Sequence, residues 1–181
     1  MTIKEQKINL FKNLALTLHE KSVWFFQHAF HLKPKRISKS YLKSFLSSKK
    51  VDLTKVLLAD ENYHYVSIAE MKDIILHDWV DRKKYEKDIF DCDDFADIFK
   101  AHMEERYKIN SVGVARSIEL LDPKTRKHLN WHRANVFIAD EDNVMKLWFL
   151  EPQTDRVVEV SDYNELIKLT GWLNRLNIFD F

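Results

Sequence analysis

Apolar residues recur at helical spacing along the first third of the chain. Ile8, Phe11, Leu14, Ala15 and Leu18 share one face of a helix over about 4–20. Trp24, Phe25, Phe26, His28, Ala29 and Phe30 continue it towards the break at Pro34. Tyr41, Leu42, Phe45 and Leu46 predict a short third helix, and residues 62–66 a short strand. Ser67-Ile68-Ala69-Glu70 has capping-box spacing and opens a helix to about Val80, with Met71, Ile74, Ile75 and Trp79 inward. A further helix starts at Cys92, with Phe95, Phe99, Met103 and Tyr107 on one face. Beyond Asn110 the hydrophobic period changes from that of a helix to that of a strand. Val112, Val114, Ile118 and Leu120 alternate, Asp122-Pro123-Lys124 turns, and 129–139 and 144–151 are extended runs. Val157, Val158 and Val160 follow, and 163–177 return to helix. Helices first and an antiparallel sheet afterwards is an α+β arrangement.

The 181 residues suit one domain with a helical extension, and an apolar fraction of 45% is that of a globular chain. One cysteine excludes an internal disulfide framework and a multi-cysteine zinc site. Two glycines, Gly113 and Gly171, exclude a Gly-rich phosphate loop. No apolar run approaches the roughly 20 residues of a membrane span, so no membrane partner is expected. Charges interrupt the first apolar stretch, which excludes a secretory signal and points to a soluble, cytoplasmic, reduced protein.

Charge divides the chain. Residues 1–58 hold 12 Lys+Arg against 3 Asp+Glu, and residues 59–181 hold 17 against 25. The division reads as a basic helical extension, 1–58, before a second unit, 59–181. A basic arm for nucleic acid or another anionic partner is one reading. Packing of the basic segment against the acidic remainder is the other, and the scatter of the basic residues among apolar helical positions favours it. Lys33-Pro34-Lys35-Arg36, with Lys39 and Lys43, is the one local cluster.

Cys92 carries the candidate chemistry. It opens a helix, with Asp91 placed as cap and Asp93 and Asp94 in the first turn. Helix N–H groups favour a thiolate there, while the three acids oppose it, so a histidine partner is required. The tip Asp140-Glu141-Asp142-Asn143 centres a hairpin in which Ala134 faces Phe149, Val136 faces Leu147 and Ile138 faces Met145. His132 then lies directly opposite Glu151, with Cβ atoms about 4.5–5.5 Å apart. A carboxylate so placed fixes the imidazole tautomer. A His–Glu hydrogen bond serving only the fold is the alternative. His102 and His128 lack an opposed acid in this pattern.

Phe90-Asp91-Cys92-Asp93-Asp94-Phe95-Ala96, then His132-x-x-Asn135, then Leu150-Glu151-Pro152-Gln153 resemble motifs of papain-like and transglutaminase-like cysteine peptidase domains. The likeness is to the C-terminal protease domain of fungal chimeric agglutinins and related bacterial and phage proteins. It implies a papain-like topology, with the nucleophile helix packed on an antiparallel sheet. It also implies Cys92 as nucleophile, His132 as base and Glu151 as orienting acid, acting on a peptide or protein substrate through a thioester. Trp131 and Arg133 stand where the family has a Gly before and an Ala after its His, and with Trp148 they are candidates for the cleft wall. Residues 79–91 contain neither Gln nor Asn, which leaves the backbone N–H of Cys92 and Gln153 as oxyanion donors. Asn135, the papain-type alternative to Glu151, falls on the opposite strand face. Some relatives depend on calcium, for which Asp91, Asp93, Asp94 and Asp97 offer oxygens, capping and solvation being their other roles. The alternative function is a silent peptidase-like binding or inhibitory protein whose basic N-terminal helices engage an anionic partner such as nucleic acid.

Overall fold

The computed structural model describes residues 3–121, 124, 125, 127–161 and 178–180. The helix expected over 163–177 and part of the turn at 122–124 lie outside the described residues.

One continuous helix, α1 (Ile3–Ala29), spans both apolar segments before Pro34, as their continuity predicts. Strand β1 (Lys35–Ser38) follows, and Ser38 caps α2 (Lys39–Ser48), its hydroxyl accepting from the Tyr41 N–H at 3.2 Å. Leu42 and Leu46 of α2 are fully buried. A short 3₁₀ turn and β2 (Val56–Leu57) lead to β3 (Asn62–Ser67). The capping box expected at Ser67 and Glu70 is present and starts α3 (Ile68–His77), which buries Met71, Ile74 and Ile75. Trp79 departs from expectation. Asp78 ends α3 and caps a 3₁₀ turn, Trp79–Arg82, which rotates the indole outward to 41% exposure.

Helix α4 (Cys92–Tyr107) buries Phe95, Phe99, Met103 and Tyr107 as their spacing requires. The sheet then continues through β4 (Val112–Leu121), β5 (His128–Glu141), β6 (Val144–Glu151), β7 (Arg156–Val160) and β8 (Ile178–Asp180). The α+β class is as expected. The sheet is mixed, however: β3 joins β5 in parallel and β2 joins β8 in parallel, while the β4–β5–β6–β7 ladder is antiparallel. A parallel join needs a crossover connection, and α3 with α4 supplies it between β3 and β5.

Alternate residues of β5 feed two cores. Ala134, Val136 and Ile138 pack with Leu42, Leu46, Leu147 and Phe149 on the α2 side. Phe137 and Ala139 pack with Met71, Ile74, Phe99 and Met103 on the α3/α4 side. Trp148 belongs to this second core, stacked on Phe137 and donating to the Ala139 carbonyl at 3.3 Å. It is therefore not a cleft residue.

The β5–β6 register is displaced by two residues from the expected one. Asp142 and Asn143 have φ of 51° and 62°, the left-handed pair of a two-residue hairpin turn. Val136 consequently faces Phe149 and Ile138 faces Leu147. An even shift leaves each side chain on its own face and changes only its cross-strand partner.

Candidate functional site

Three elements converge at the N-terminus of α4. Asp91 is extended and caps the helix, accepting from the Asp93 N–H at 3.4 Å, while Asp94 accepts from the Asp91 N–H at 3.0 Å. This reciprocal box fixes Cys92 in the first helical position. The preceding segment is tied by a bridge between Glu86 and Phe90, and Phe90 packs edge-on to Phe95 at 4.8 Å. That segment carries Tyr85, Lys87 and Asp88 to the mouth of the site.

His132 enters from β5, level with Ile118 just past an irregularity in the β4 ladder. Its Nε2 lies 2.6 Å from Glu151 Oε2. The observed register ends at Asn135 facing Leu150, so Glu151 reaches His132 diagonally rather than from directly opposite. Glu151 Oε1 also accepts from the Gln153 N–H at 3.4 Å, which holds the carboxylate from its other side. The Cys92 thiol hydrogen-bonds His132. Burial pulls the imidazole pKa down, but the hydrogen bonds and charges of Cys92 and Glu151 outweigh it and raise it to about 9. Thiol, imidazole and carboxylate are thus brought together.

Cys92 and His132, with Glu151 behind the imidazole, form one side of an open cavity of about 430 Å³, lined also by Tyr85, Lys87, Asp88, Asn130, Trp131 and Arg133. Tyr85 and Trp131 are about half exposed. Arg133 is committed to α4, with Nη1 3.3 Å from Asp93 and 3.2 Å from Asp97. Asn135 is fully buried and donates to the carbonyls of Ala96 and Gly113, tying α4 to β4, so it lies outside the cavity lining. Gln153 sits in the β6–β7 turn and does not line the cavity either. The acids named for calcium are occupied by capping and by Arg133, and the ligand atoms of Asp91 and Asp93 cluster with a soft thiol. That set does not fit a cation that selects hard oxygens.

Sequence reasoning missed Tyr85, Lys87, Asp88 and Asn130. The first three lie in a stretch with no hydrophobic period. The usable signal was an aromatic and charged loop placed just before the cysteine. It also missed the acid of His102: Nδ1 is 2.7 Å from Asp78 Oδ2, and Arg106 adds a contact to the same oxygen at 3.3 Å.

No family model and no curated protein matches this chain. Two solved structures share its fold. One is PSL1a in complex with E64, with 20% identity and a TM-score of 0.53, matched over 81% of this chain and 51% of that one. The other is the Polyporus squamosus lectin bound to the human-type influenza-binding epitope Neu5Aca2-6Galb1-4GlcNAc. It has 19% identity and a TM-score of 0.55, over 81% of this chain and 49% of that one. The chain thus spans about half the length of the structures it matches. Neither is named as a peptidase, and the second is a lectin holding a sugar.

The cysteine-peptidase assignment, with its hydrolase activity and peptide substrate, is therefore withdrawn. A thiol–imidazole–carboxylate trio is a local constellation, and a fold does not confer turnover. The donor named for an oxyanion, Gln153, lies outside the cavity lining, and its backbone N–H donates to Glu151. The nucleic-acid arm is withdrawn with it. Lys35 is paired with Asp140 at 2.7 Å, Arg36 donates to Asn62, and Lys39 is paired with Glu61 at 2.7 Å, so these three side chains of the basic cluster are engaged within the chain. What the likeness establishes is a fold held in common with these two structures.

Proposed function

We propose that this chain is a saccharide-binding domain and that the cavity beside Cys92 is its ligand site. One observation carries the reading: two half-exposed aromatic rings, Tyr85 and Trp131, share an open cavity with Asp88, Asn130 and Arg133. A sugar ring offers C–H faces to aromatic rings and hydroxyls at its edge to carboxylate, amide and guanidinium groups. The likeness to the Polyporus squamosus lectin supports the reading at the level of fold, while the sugar bound there belongs to that protein. In this reading Cys92 and His132 form a polar wall of the cavity, with Glu151 holding the imidazole from behind, and the thiol is the group open to electrophiles. Residues 59–181 carry the cavity and residues 1–58 form its basic extension.

Titration calorimetry against a panel of neutral, acidic and amine-bearing oligosaccharides tests this, with iodoacetamide labelling of Cys92 as a second readout. A bound saccharide is expected to slow alkylation, and Trp131→Ala to weaken binding about tenfold through loss of the ring face. Absence of binding across the panel, with alkylation unchanged, overturns the reading.

A further inference from the structure

Resting on the saccharide reading above, we propose that the ligand is cationic: an amino sugar with a free amine, held between the aromatic rings and the acids of the α4 N-terminus. Three carboxylates line the cavity, those of Asp88, Asp91 and Asp93. The lining cations are largely spoken for. Arg133 is bound to Asp93 and Asp97, and His132 to Glu151. Lys87 remains on the lining, against Asp88 and Asp91.

The negative field is felt at the ring that would take the ligand. Burial raises the Tyr85 hydroxyl above its usual pKa, and the charges of Asp91, Cys92, Asp88 and Asp93 push it the same way. Asp91 is held below the usual carboxylate range, first by its hydrogen bond with Asp93, so it keeps its charge, while that contact raises Asp93. Aromatic faces beside carboxylates attract an ammonium group. A sialylated sugar would set its carboxylate against the same acids, and a neutral N-acetylated sugar gains nothing from them.

The experiment compares fully deacetylated glucosamine oligomers, their N-acetylated counterparts and sialyllactose, using the full chain at about pH 6 where the amines are protonated. The deacetylated oligomers are expected to bind about tenfold more tightly than the acetylated ones, with the preference eroded by added salt. Asp88 has φ of 62°, which Asn tolerates, so Asp88→Asn keeps the loop. This variant is expected to weaken the deacetylated ligand about threefold more than the acetylated one, so that the preference between them narrows. Equal or tighter binding of the acetylated or sialylated sugar overturns the cationic ligand and leaves the saccharide site standing. Failure of all three to bind overturns both.

Discussion

His132 shows how one residue integrates its surroundings. Burial disfavours its charge, and Cys92 and Glu151 restore it, lifting its pKa from 6.5 to about 9. A raised pKa stabilises the fold fully below about pH 6.5, and that contribution is lost as pH rises through about 9. Up to about 3 kcal/mol is involved. Urea unfolding is therefore expected to show stability falling between those limits, and His132→Gln to flatten the slope; an unchanged slope in the variant would assign the fall to other groups. Glu151→Gln is expected to lower the His132 pKa by a unit or more, read by NMR titration of the ring. The pairing with Glu151 was legible because both residues end apolar strand runs. The acid of His102 was not, since Asp78 lies 24 positions away at a helix end that no period marks.

Among the elements, the β5–β6 hairpin separates what hydrophobic pattern dictates from what turn chemistry dictates. Apolar alternation assigned Ala134, Val136 and Ile138 to one face, and they occupy it. The same alternation is blind to a shift of two, which Asp142 and Asn143 settle by adopting positive φ. A branched side chain there clashes with its own backbone, so Asn143→Val is expected to destabilise the chain by about 1–2 kcal/mol and Asn143→Gly to leave it unchanged or slightly more stable. Denaturant midpoints of the two variants check this. A harmless Val would mean the turn does not set the register.

For the whole molecule, the run of strands after α4 was readable from the change of period, whereas β1 and β2 among the helices, and the parallel joins of β3 with β5 and β2 with β8, were not. Such joins depend on which distant strands meet, and a strand of β2's length carries no periodic signal. Long-range polar contacts are hidden in the same way. Asp78 is 2% exposed and holds both His102 and Arg106 while capping the turn that leads to the cavity loop. Arg106 in turn lies over Phe26 of α1 and over Trp79. Asp78→Ala strands a buried guanidinium and is expected to cost about 3 kcal/mol by thermal or urea unfolding, far more than Asp52→Ala at an exposed cap. Equal costs at the two sites would remove Asp78 from that role.

Amide shift mapping of the isotopically labelled chain, titrated with amino-sugar oligomers, tests the ligand site most directly. Perturbations are expected to concentrate on Tyr85, Asp88, Cys92, Asn130, Trp131 and Arg133 and to saturate with one affinity. Shifts confined to another surface, or none at saturating sugar, would contradict a saccharide site beside Cys92.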